Sequence, residues 1–164
     1  MASSKKPRKK YRPKGVTLDP IGYVVEGNKK LTSHNSYVLD LKIKNSLAMG
    51  ALLRGEANKA DMDTLVAMSN ITEMLQEMGF GVDYENVCVD GRAALISVAV
   101  RAVKLLRFTP TGEEIKSLNK LMELHDAQMD VITVRDLEKA INTATKRLRS
   151  NDRIIKLPKL GEVK

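Results

Sequence analysis

Few residues in this chain have side chains that could carry out a reaction. There are two histidines, His34 and His125, and a single cysteine, Cys88. Glu123, His125, Asp126 and Asp130 crowd one short stretch, a composition that suits a metal site or an acid–base pair. A metal needs three or four ligands converging on one point. On a helix Asp126 and Asp130 share a face, while His125 falls on the stripe of Met122 and Met129. The residues therefore read as a half-buried histidine bonded to a backbone or carboxylate neighbour. No metal or other cofactor is expected. Cys88 has no base beside it, which predicts a buried, inert thiol. Gly79-Phe80-Gly81 lacks the spacing and the lysine of a phosphate loop. With no catalytic signature, a non-enzymatic role is expected.

The stronger chemical signal is charge. Residues 1–14 carry Lys5, Lys6, Arg8, Lys9, Lys10, Arg12 and Lys14 and no acid. Such a run cannot bury an apolar face, so residues 1–15 are expected to be a disordered basic arm that seeks a polyanion. Tyr11, between Lys10 and Arg12, is placed to stack on a base. The net charge of +8 is uneven. The arm holds +7, residues 15–134 sum to −4, and residues 135–164 return +5. A mildly acidic body with basic ends suits contact with nucleic acid, an acidic protein or an anionic surface.

The elements that must position these groups read as helices. Met62, Leu65, Val66, Ile71, Leu75 and Met78 recur at helical spacing behind a capping Asn58. Gly79 and Gly81 end that helix. The next starts between Tyr84 and Gly91 and runs to about Arg107. Its segment from Ala93 to Leu106 is apolar nearly all round, which predicts a buried, central helix. Pro110 stops it, and Thr111 with Glu114 forms a capping box for the helix that follows. Thr133 with Asp136 starts the last helix, whose apolar stripe is Val134, Leu137, Ile141, Ala144 and Leu148. Residues 36–43 fit either a strand or the first turns of a helix running to Leu53. Residues 21–32 could close a small hairpin at Gly27-Asn28. The expectation is an all-α protein, a compact bundle of four to five helices over residues 16–150, with a possible β-hairpin near 21–43 and a basic tail at 151–164.

The last two helices, joined by a short turn near Asp130–Thr133, have a helix-turn-helix outline. The polar side of the second carries Arg135, Lys139, Asn142, Thr143, Lys146 and Arg149. Asparagine and arginine can read base edges, while lysine holds phosphate. Asp136 and Glu138 oppose that reading, and the outline alone is unspecific. Arg147 and Arg153 add charge to the same end. The seven methionines after Met1 read as core filler before they read as an adaptable protein-binding groove.

Several stretches together, KKYRPKGV, SYVLDLKIKN, KADMDTLVAMSNITEML and LMELHDAQMDVITVRDLEKAI, resemble a family of small proteins encoded by proteobacterial phages, prophages and related mobile elements. The resemblance spans roughly residues 8–150. It implies a bacterial cytoplasmic setting and an accessory role, and it supplies no catalytic residues.

The expected function is non-enzymatic binding of nucleic acid, DNA first, through the basic termini. The alternative is an interaction module that meets an acidic host or defence protein. With one cysteine no internal disulfide can form. No apolar run approaches the ~20 residues of a membrane span, so no membrane partner is expected.

Overall fold

A computed structural model describes residues 20–150 of the chain; the basic arm, the tail at 151–164 and Arg153 lie outside the described residues. The described part is all-α. Six helices follow one another: α1 (Pro20–Gly27), α2 (Asn35–Leu53), α3 (Lys59–Glu77), α4 (Glu85–Leu105), α5 (Gly112–Val131) and α6 (Val134–Ser150).

The caps predicted from sequence are formed. Asn58 accepts from the amides of Ala60 and Asp61, and Asp61 accepts in return from the Asn58 amide. Thr111 and Glu114 make the same reciprocal pair at α5. At α6 the Thr133 amide donates to Asp136 Oδ2 at 2.9 Å, and the Asp136 amide donates to Thr133 Oγ1 at 3.2 Å. Each cap satisfies amides that the first helical turn leaves without carbonyl partners.

The hairpin expected near 21–43 is not present. Pro20 takes the first position of α1, where its fixed φ suits a helix and its missing N–H costs nothing. Residues 36–43 belong to α2. The extended pairing that does occur is an isolated antiparallel bridge between Lys30 and Thr133. There the Leu31 amide donates to the Ile132 carbonyl at 2.9 Å, and the Val134 amide to the Lys29 carbonyl at 3.2 Å.

The centre of the fold also differs from expectation. α3, not α4, is the hub: it packs against α2, α4, α5 and α6. One apolar cluster joins Leu52, Leu65, Leu95 and Leu121 from α2, α3, α4 and α5. A second, at the α6 end, gathers Leu31, Met74, Leu75, Met129, Ile132 and Ala140. α4 buries Leu95, Val98 and Ala102 but leaves Val89, Ile96 and Val100 exposed. Its apolar residues outnumber the positions its neighbours cover, so the all-round pattern spilled onto solvent instead of marking the core.

Two backbone details set the α4–α5 hairpin. Gly91 lies so close to α5 that a Cβ there would stand 2.9 Å from Leu121 Cβ. α4 ends on Leu106, at φ 56°, a left-handed conformation usually left to glycine. Arg101 then locks the connection. It donates to the Thr109 carbonyl at 2.6 Å and to both oxygens of Glu114, at 3.0 and 2.5 Å. Burial pushes the Glu114 carboxyl up, but bonds from Arg101, the Thr111 amide and Ser97 outweigh it and hold the group at about 2.

Candidate nucleic-acid interface

α6 is seated on α3 by one face. Ala140 is fully buried, and Val134, Leu137 and Ala144 pack beside it. The same stripe runs out toward solvent at Ile141 and Leu148, which stand exposed. The opposite face is determined by the helical period. Arg135, Lys139, Asn142, Lys146 and Arg149 recur at steps of four, three, four and three, so they fall on one side, pointing away from α3. Lys139, Asn142, Lys146 and Arg149 are exposed, and Arg135 is half-buried with its side chain against Gly27 of α1. The row is about 20 Å long at 1.5 Å per residue. Basic groups in the last turn also oppose the negative end of the helix dipole.

The acidic residues that weighed against this face divide. Asp136 is turned back into the α6 cap, where it accepts from the Thr133 hydroxyl at 2.7 Å. Glu138 remains exposed on the cationic side. Arg147 does not join the row. It reaches across to α3 and grips Glu77 with two parallel bonds of 2.8 and 2.7 Å, a fork geometry that fixes the far end of α6.

The helix-turn-helix outline lacks the packing that would define it. α6 takes its support from α3 and, more lightly, α1. The Ile132-Thr133 connection is occupied by the Lys29–Leu31 backbone.

Of the groups considered for catalysis, His125 and Cys88 are both buried. His125 is 3 % exposed. Its Nδ1 lies 2.9 Å from Thr72 Oγ1, and that hydroxyl donates its single proton to the Met68 carbonyl, also at 2.9 Å. The network therefore assigns the proton to His125 Nδ1, which donates to Thr72. The partner is a hydroxyl on α3 rather than the backbone or carboxylate neighbour expected from sequence, and the ring is fully buried, not half-buried. Burial pushes the imidazole down to about 4, and the Lys42 charge pushes in the same direction. Gln128, one turn on, donates to the carbonyls of Thr72 and Phe80 at 3.2 and 2.9 Å. Together these form a polar layer between the two apolar clusters, with no signal in the local sequence beyond the polar residues themselves.

Cys88 is buried, and its thiol is pushed up to about 11 by burial, then by Glu73, with Arg92 opposing. Such a thiol holds its proton and is a poor nucleophile. Among the described residues no three His, Cys, Asp or Glu side chains converge as metal ligands. The side chain of His34 is outside what the structure describes. Met49, Met62, Met68, Met74 and Met129 are buried, and Met78 and Met122 pack against the core. They fill space as expected, and no methionine-rich surface forms from them.

No helix among the described residues is long and apolar enough to cross a membrane. No protein family, no curated protein and no solved structure matches this chain.

Proposed function

We propose that this protein is a non-enzymatic nucleic-acid-binding protein, DNA being the first candidate, that acts as an accessory factor of a phage or mobile element in a bacterial cytoplasm. The observation that carries the reading is the row on α6 of exposed Lys139, Asn142, Lys146 and Arg149, headed by the half-buried Arg135, on a helix whose other face packs on α3. The arm residues Lys5, Lys6, Arg8, Lys9, Lys10, Tyr11, Arg12 and Lys14 add a second cationic element, and Arg153 in the tail adds a further basic group. In this mechanism the arm and the lysines neutralise phosphates, and Asn142, flanked by cations, is the residue in position to touch a base edge. The resemblance to phage-encoded proteins supports the setting and the accessory role.

The test is fluorescence-anisotropy binding to short double- and single-stranded DNA and RNA, titrated over salt. Each neutralised phosphate contributes a slope of about −0.9 in log affinity against log salt on duplex DNA. The triple variant Lys139→Gln, Lys146→Gln, Arg149→Gln should lower that slope by about 2 to 3, and a chain starting at Gly15 should lower it further. Binding that ignores both changes, or no binding at low salt, refutes the proposal.

A further inference from the structure

A second exposed surface lies on α4, far from the cationic row in sequence and made of the opposite chemistry. Val89, Ala93, Ile96 and Val100 are all exposed, Ile96 by 42 % and Val100 by 54 %. Their steps of four, three and four residues are those of a coiled-coil seam, and the half-buried Val103 continues it by a further step of three. The result is one continuous apolar stripe on a single side of the helix. Folded chains in water seldom leave such a stripe uncovered.

We infer that this stripe is the contact through which two copies of the chain pair, with their α4 helices antiparallel about a two-fold axis. Charge selects the occupant and the direction. Asp90 and Lys104, both exposed, flank the stripe toward its two ends. They are 14 residues apart, two full heptads, so they lie on the same flank. In an antiparallel pair like flanks face each other. Setting Ile96 against Val100 of the second copy, and Ala93 against Val103, brings Asp90 within about 3 Å of the level of Lys104 along the seam. By symmetry the same pair forms twice, with Ser97 opposite Ser97 at the axis between them. Glu113 of α5 borders the same flank, but its carboxylate is engaged by Lys116 at 2.8 Å. In a parallel pair Asp90 and Lys104 of opposite copies would stand about 21 Å apart along the seam and could not meet. The stripe is thus complementary to itself in one orientation only. The seam is short and its ion pairs are exposed, so the dimer forms at micromolar or higher concentration rather than being obligate.

The experiment is sedimentation equilibrium on the full chain without nucleic acid, from low micromolar to several hundred micromolar protein. A concentration-dependent dimer is expected. Val100→Glu should leave a monomer with unchanged helical circular dichroism, since the side chain it replaces is already exposed. Asp90→Lys and Lys104→Asp should each weaken pairing about tenfold, as two attractive pairs become repulsive. The double variant should restore it. A chain that stays monomeric throughout overturns the proposal. So does a dimer that survives Val100→Glu, and a double variant no tighter than the singles removes the antiparallel arrangement. None of these results depends on nucleic-acid binding.

Discussion

Acidification should weaken this fold in a step that belongs to one residue, His125. Its ring is buried on α5 against α3, at the edge of a cavity that Asn45 and Ile141 also line, with Nδ1 committed to Thr72. To charge it, Nε2 must take a proton where burial strips most of its hydration and near Lys42. Asp126 and Asp130 lie on the same helix, Asp130 bonded to Lys42 at 2.9 Å, and burial together with Asp130 pushes the Asp126 carboxyl up against the Lys42 charge. These carboxylates do not offset the desolvation of the imidazole. Its titration falls from the ordinary 6.5 to about 4. Above pH 6.5 the ring is neutral in both folded and unfolded chains, and no stability is lost. As the pH drops from 6.5 to 4 the unfolded chain takes up a proton that the folded chain refuses. At 1.36 kcal/mol per pH unit the loss is about 3 kcal/mol, a large part of a typical domain's stability. Urea denaturation of wild type and His125→Gln across this range isolates the effect. The difference between them at pH 7 should shrink by about 3 kcal/mol by pH 4. The chain holds two histidines, so the NMR titration of two ring Hε1 signals, assigned with His34→Gln, gives the same answer directly. A His125 signal that titrates near 6.5 in folded protein would refute the buried-ring argument.

Three further outcomes follow from the α4–α5 hairpin. Glu114→Gln should cost about 1 kcal/mol at pH 7, the ion pair's share after solvent screening; because the folded carboxyl titrates below its unfolded value, the difference should hold above pH 5 and fade as the pH falls toward 2, as read by denaturation at each pH. Gly91→Ala should destabilise by about 1 kcal/mol net despite alanine's better helix propensity, because the new Cβ meets Leu121 Cβ at 2.9 Å and that atom cannot rotate away; a rise in melting temperature would mean the helices part freely. Leu106→Gly should stabilise by about 0.5–1 kcal/mol, since Leu106 is 83 % exposed and gives up a left-handed backbone without losing packing; a fall in melting temperature would contradict that account.

The cationic row on α6 was legible because it needs only the helical period and an apolar stripe to orient it. The role of Arg147 was not, because its partner Glu77 lies 70 residues away. The misplaced centre has a similar origin. The Ala93–Leu106 segment is apolar nearly all round, yet burial depends on how many helices surround an element, and α3 has that position. Residues 21–32 suggested a hairpin because short apolar runs fit a strand and a helix equally well. Pro20 and the pairing of Lys30 with Thr133 decided between them.

What the sequence determined by itself is local: the all-α class, the three caps at Asn58, Thr111 and Thr133, the glycine stop after α3, and which residues share a face of each helix. Capping bonds and the 3.6-residue period act within one or two turns, so a linear reading captures them. What only the tertiary structure decided is which of those faces meet. It placed Thr72 against His125, set α3 at the centre, committed Arg147 to Glu77, and left the valine and isoleucine stripe of α4 facing water. Each of these depends on contacts between residues distant in the chain, and no local pattern encodes which partner will arrive.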